Sequence, residues 1–481
     1  MTRLVCKPTY RSDISNLEKS ENKMADKPKE VMDLAQEYVN FLNDCKSPWH
    51  VCDLVKKYFS DAGFTELKMT DNWSLSPGGK YYAINGGSTI IAFALGGNWR
   101  PTSRIAVVAA HTDSPVLRLK PNSNRGNLQF IQVGVSLYGG GFWHTWFDRD
   151  LGLAGRVFIK NGQKVECRLL SINKSIANVP GLAIHFDSSM NDNLIIDLEK
   201  HILPVIALGN HNEDPDASHQ PALIDYIAKE MNVQPGHIVE FELNMFDTKP
   251  ACIGGLHEDF VYGQFQDNSF STFAAMKAII DAINQPEFIG MKPKRCWCNN
   301  YASVISRSYA ISADVDHGVN PNYAEYYELN SRPALDGGPI IKYNNKLEMA
   351  TTAMSATIIR EIARRAGIEL QSTVPKNGKA TGSTLGPTLS AQLGIVTCDF
   401  GPPILAMHSI RETSSVMGVW KFKMCTEHFY REFSNVMDNF IPNERLMRGI
   451  SQEKPNEKNE KGYMSKWAKR NANRRKMLAT K

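Results

Sequence analysis

The chain has 481 residues, 42% hydrophobic and 22% charged, which is enough apolar material for a large core and too much for a disordered or fibrous chain. No run approaches the roughly 20 apolar residues needed to span a bilayer, and the polar N-terminus lacks the apolar stretch of a secretory signal, so a soluble, cytoplasmic protein with no membrane partner is expected. Of the net charge of +5, residues 441–481 hold +8 (12 Lys/Arg against 4 Asp/Glu), leaving −3 for the rest, so nucleic-acid binding is excluded for the body and left open only for the tail.

Residues 1–30 are polar and without periodicity, and read as a disordered arm. Helical spacing of apolar residues predicts two opening helices, from Val31 to Leu42 and from Trp49 to Phe64, the second closed by Gly63. STIIAFALGG (88–97) and RIAVVAAHTDS (104–114) read as buried strands. From about Arg118 to Phe246, short alternating segments punctuated by Gly and Asn predict an antiparallel, β-rich insertion. An α/β texture then returns, with helices over 268–283 and 355–367 and strands over 308–314, 338–344 and 394–400. Residues 291–306 fit neither period. The expected organisation is an α/β domain made of 31–118 and 247–441, interrupted by a β-rich domain over 119–246, with a mostly disordered basic tail at 442–481. Nine scattered cysteines with no CxxC pair read as reduced thiols and argue against a zinc ribbon.

His111 and Asp113 directly follow the apolar run IAVVAA, at the carboxyl end of a strand, where ligand sites of open α/β sheets lie. Asp314 ends a second apolar strand, SYAISAD. His408 follows PPILAM and precedes SIRE, which reads as a helix start. Asp267 stands at the start of a helix, where N-capping is the ordinary explanation. Singly, each has a structural explanation. Together, His111, Asp267, Asp314 and His408 form the donor set of a hydrolytic zinc or manganese site, with Asp113 placed to hold the second nitrogen of His111.

Six segments in order, HTDSPVLRLKP (111–121), YGGGFWHTWFDRDLGLAGRV (138–157), DTKPACIGG (247–255), ISAD (311–314), GSTLGP (382–387) and AMHSIRE (406–412), resemble the aspartyl aminopeptidases of metallopeptidase family M18. The resemblance spans roughly Val31 to Ile441. It implies a zinc-peptidase (phosphorylase/hydrolase-like) α/β domain with an inserted β-rich dimerisation domain, assembled as a homo-oligomer, in the family a dodecamer. It also implies two zinc ions bridged by Asp267, with His111, Asp314 and His408 as further ligands and Asp113 orienting His111. His185 would reach the site of a neighbouring subunit, and His317 and Lys342 would line a basic pocket for peptides with an acidic N-terminal residue.

Family members also carry a Glu-Glu pair between the bridging aspartate and the ISAD motif, the first glutamate acting as general base and the second as metal ligand. This chain has no such pair there, and only 47 residues separate Asp267 from Asp314, some tens fewer than in the family. Glu287, the nearest acid, has no apolar strand in front of it. Gly378, Thr381 and Asn320 also depart from the family pattern, standing where an aspartate, a cysteine and a histidine are expected. Three readings follow: an aminopeptidase whose sequence lacks a segment through splicing or a faulty gene model; a catalytically inactive homologue kept as scaffold or subunit; or a protein that binds through its basic tail.

Overall fold

A computed structural model describes residues 27–101, 103–209, 216–284, 301–379 and 382–440. The fold opens with α1 (Lys29–Asp44) and α2 (Pro48–Asp61), each burying one apolar stripe, Val31, Ala35, Tyr38 and Leu42 on the first and Trp49, Cys52, Val55 and Phe59 on the second. The Ser47 side chain accepts from the His50 amide and Pro48 fills the first turn, which fixes the start of α2. Then come β1 (Thr65–Leu67), β2 (Lys80–Asn85) and β3 (Thr89–Ala94), a three-stranded sheet in that order, followed by β4 (Ala106–Ala109).

The antiparallel texture expected from Arg118 to Phe246 takes the form of one six-stranded sheet. Its strands are β5 (Val116–Asn127), β6 (Phe130–Tyr138), β7 (Leu151–Asn161), β8 (Lys164–Ala177), β9 (Val205–Leu208) and β10 (Ile238–Asp247), in spatial order β8-β7-β10-β5-β6-β9. Leu117, Val133, Leu151, Val157 and Leu243 form its core. A helix the sequence pattern did not predict, α3 (Pro221–Met231), joins that core through Leu223, Ile227 and Met231.

The rest of the chain runs through β11 (Cys252–Gly254), β12 (Phe260–Gly263), α4 (Gln266–Ile283), α5 (Tyr301–Ile305), β13 (Tyr309–Ala313), β14 (Asp316–His317), β15 (Ile340–Lys342), α6 (Ala353–Ala366), β16 (Gln371–Thr373), α7 (Leu385–Leu393), β17 (Val396–Gly401), β18 (Pro403–Leu405), β19 (Glu412–Ser415) and α8 (Val416–Asn439). Two five-stranded sheets result, β16-β15-β17-β13-β4 and β11-β12-β19-β18-β14. In the first, β13 is parallel to both neighbours and buried at all five positions, as a central parallel strand must be. Its end is held tightly: a Cβ on Gly401 would lie 1.7 Å from the Asp314 carbonyl oxygen, so only glycine allows β17 this close.

Two expectations change. SIRE does not start a helix; Glu412 begins β19, and helix begins only at Val416. The backbone at His408 has φ +67°, a left-handed turn that separates β18 from β19 and that periodicity does not register. The unassigned segment 291–306 is described only from residue 301, where α5 forms. The arm up to residue 26, Glu287, Thr381 and the tail from residue 441 lie outside the described residues. Residues up to Phe433 form one compact unit, and a second begins at Ser434. Among the described residues no helix is long and apolar enough to cross a membrane.

Tyr309 links sheet to helices: its ring lies 5.7 and 5.9 Å from Phe429 and Phe433, and its hydroxyl donates to the Ser355 carbonyl at 2.7 Å in a buried setting. Tyr309→Phe keeps the ring packing and loses that bond, so it should cost about 1 kcal/mol. Urea denaturation at unchanged m-value checks it.

Candidate active site

Four segments converge at the carboxyl end of β4 and β13. His111 is two residues beyond β4, Asp314 is one residue beyond β13, Asp267 opens α4, and His408 sits in the left-handed turn before β19. His111 Nε2 lies 3.2 Å from Asp267 Oδ1 and 3.4 Å from Asp314 Oδ1, and His408 Nε2 lies 2.9 Å from Asp267 Oδ2. Asp267 therefore spans the two imidazoles. One ligand atom each from His111, Asp267 and Asp314 falls within 4.8 Å of the others. Both carboxylates are buried.

Capping does not explain Asp267. Its backbone is non-helical, its carboxylate faces the two histidines, and its main chain is held from several sides. Its amide donates to Glu412 Oε2 at 3.0 Å, and its carbonyl accepts from Ser114 Oγ. The next residue, Asn268, donates through Nδ2 to the Ala313 carbonyl at 2.8 Å, which ties the start of α4 to the end of β13. Glu412 uses its other oxygen, Oε1, to accept the His408 amide at 2.8 Å. One buried carboxylate thus holds the main chain of two site residues. Sequence reading quoted Glu412 in AMHSIRE without giving it a role; its signal was an acid standing at the head of a buried strand.

His111 is oriented through Nδ1, which lies 2.9 Å from the Asp113 carbonyl oxygen and 3.4 Å from the Asp113 carboxylate. The backbone of Asp113 is therefore the closer partner. Its carboxylate accepts from Tyr138 Oη at 2.7 Å. His408 is fixed likewise, its Nδ1 2.8 Å from the Gly140 carbonyl. Tyr138 and Gly140 come from YGGG, so one glycine-rich loop after β6 supports both histidines.

The electrostatics follow the geometry. Burial opposes a charge on His111, but hydrogen bonds to Asp113, Asp267 and Asp314 outweigh it and raise its pKa to about 12. The hydrogen bond to Asp267 likewise raises His408. Against the cost of burial, His111 and His408 hold Asp267 low, while Lys342 and His111 hold Asp314 low. The hydrogen bond from His111 brings Asp113 down to about 2. Burial, then the nearby Asp267 charge, pushes Glu412 up to about 8. The cluster is a negatively charged cage closed by whatever cation is present.

Lys342 is buried, donating to Asp314 Oδ2 at 3.2 Å and to the Val315 carbonyl at 2.7 Å. His317 is exposed on β14 and His185 is exposed on the loop after β8; neither is hydrogen-bonded to the four-residue cluster. Asn320 closes a turn by accepting the Asn322 amide at 3.0 Å. Gly378 has φ +80°, a conformation that glycine adopts without strain.

The family model "Aminopeptidase I zinc metalloprotease (M18)" matches residues 41–298 and 289–430, in two pieces that meet between Asp267 and Asp314. The aspartyl aminopeptidase of Aspergillus oryzae is 36% identical, covering 83% of this chain and 96% of that protein. That of Caenorhabditis elegans is 34% identical over 458 positions, covering 85% of this chain and 97% of the relative. Since 85% of 481 residues is about 409, about fifty of those positions stand opposite gaps in this chain. Among solved structures, a chain of the Ape4 and Nbr1 complex superposes with TM-score 0.83 at 30% identity, covering 87% of this chain and 89% of that one. The S. cerevisiae mApe1 dodecamer gives 0.74 at 25%, covering 85% and 99%. Sequence, fold and the converging His/Asp cluster agree, and the chain belongs to the M18 family of zinc metalloproteases.

Proposed function

We propose that this chain holds zinc on His111, Asp267, Asp314 and His408, and that the site serves hydrolytic removal of Asp or Glu from peptide N-termini. The observation that carries this reading is Asp267, a buried carboxylate spanning two imidazoles, whose Oδ1 takes no well-aligned hydrogen bond. Two buried carboxylates and two imidazoles, with a buried oxygen left over, fit a divalent cation of zinc type, in one or two ions. Zinc, when bound, supplies polarisation of the scissile carbonyl and activation of water.

The protein's own residues do the positioning. The Asp113 and Gly140 carbonyls turn the two imidazoles so that both Nε2 atoms face Asp267. Glu412 fixes the main chain beneath Asp267 and His408. Lys342, kept charged by Asp314 and Asp316 against burial, is the proposed source of positive charge for an acidic substrate side chain, with His317 beside it. The aspartyl aminopeptidase relatives support the substrate class, and the mApe1 dodecamer supports a homo-oligomer. In that assembly residues 119–246 serve as the dimerisation domain and His185 reaches a neighbouring copy's site. The cytoplasm is the proposed location.

Turnover is a separate matter. Glu412 is buried with both oxygens on main-chain amides, so it does not replace the general base that the family draws from its Glu-Glu pair. Loss of a general base costs about 10²- to 10⁴-fold. Zinc-loaded full-length protein should therefore bind zinc and cleave aspartyl- and glutamyl-amide substrates about 10²- to 10⁴-fold more slowly than the C. elegans relative assayed beside it. Bound zinc with no cleavage at all would leave the inactive homologue; no bound zinc would overturn the site.

Glu412→Gln keeps the shape of the side chain but can accept only one of the two amides through an oxygen. Zinc affinity should fall about 10- to 100-fold with the circular dichroism spectrum unchanged, as read by competition with a chelator.

A further inference from the structure

We propose that the facing edges of β3 and β4 form a slot for one further strand, supplied in cis by a longer form of this chain that carries, between α4 and β13, the interval its relatives have. The register of β13 against β4 and the Tyr309 amide bond to the Ile105 carbonyl turn Ile105, Val107 and Ala109 toward β13. The amides and carbonyls of Ala106 and Val108 then point the other way, where no strand pairs among the described residues. The free edge of β3 is likewise unpaired among them.

These edges are unlike the others of the same two sheets. The outer strands β1 (TEL) and β16 (QST) are short and polar, as exposed edges are. By contrast β3 reads TIIAFA and β4 reads AVVA, with no charge, proline or bulge to discourage pairing. Ile91 is 49% exposed and Ile105 47%, although the sequences are those of strands buried on both faces. Only eleven residues, 95–105, join β3 to β4, and Thr112 Oγ1 donates to the Ser88 carbonyl at 3.0 Å, pinning the two strands together at one end.

The occupant follows from the chain's connections. The helix α4 packs back along β4, with Thr272 Oγ1 donating to the His111 carbonyl at 3.1 Å, so a strand after α4 would complete a β-α-β crossover onto the open side of β4. That is where the family match breaks, and about fifty positions of the C. elegans relative stand opposite gaps.

The test compares backbone hydrogen exchange in the full chain and in the same chain with residues 285–300 replaced by the corresponding C. elegans interval. In the graft, peptides covering 89–94 and 106–109 should exchange at least about tenfold more slowly, independent of protein concentration. Equal exchange in both proteins would overturn the slot. Protection in the unmodified chain that grows with concentration would assign the edge to a second copy and overturn the cis strand. Proline variants of the unmodified chain make a check that needs no graft. Val108→Pro should leave the melting temperature unchanged, whereas Val107→Pro, which loses a bond to β13, should lower it by several degrees. Equal losses would show that both strand edges are already paired. None of these readouts depends on peptidase activity.

Discussion

The cluster depends on keeping the Asp267 carboxylate buried between two imidazoles. A charge taken out of water is costly unless partners surround it closely, and here the partners come from distant parts of the chain. His111 follows β4, His408 precedes β19, and the Asp267 main chain hangs on Glu412 at the head of that strand. Removing one partner leaves the others as unpaired buried charges, so the site stands or falls as a unit. The same constraint explains why Lys342 is buried: its ammonium offsets Asp314, and its bond to the Val315 carbonyl fixes it at the end of β13.

Two kinds of order hold this arrangement. Parallel pairing of β4, β13 and β17 brings His111 and Asp314 to the same end of a sheet without any polar contact being required. Turns then deliver the remaining groups. Gly140 after β6 and the left-handed backbone at His408 let main-chain carbonyls and carboxylates meet ring nitrogens at hydrogen-bond distance. Sheet geometry sets the coarse position and main-chain hydrogen bonds set the direction of each ring, so the histidines are aimed before any cation is considered.

The legible part of the sequence is the part governed by periodicity. IAVVAA and SYAISA are apolar because both faces of their strands are covered, and polar residues just past them mark the sheet end, so His111 and Asp314 could be picked out by position alone. Asp267 was ambiguous because an aspartate at a helix start satisfies capping equally well; what separates the two roles is which residues lie opposite, and that is tertiary. SIRE misled because its helix-like composition follows a left-handed turn at His408, and burial of Glu412 against Asp267 overrides local propensity. Helix α3 was hidden inside a β-rich stretch because Leu223, Ile227 and Met231 supply only a narrow apolar stripe.

Each of the four cluster residues is anchored by something outside the short interval between α4 and α5. His111 rests on Asp113 and the YGGG loop, His408 on Gly140 and Glu412, Asp267 on Glu412, Ser114 and the α4 start, and Asp314 on Lys342 and β17. Shortening that interval therefore removes chemistry without removing the supports of the cage. Binding and turnover separate for that reason: ligand geometry is stored in the two ends of the parallel strands and the β18–β19 turn, whereas a general base must come from a carboxylate that is both solvated and aimed at the cage. Glu412 has the aim but not the water, because its oxygens are the supports themselves. A carboxylate that holds the site together cannot also leave it to carry a proton.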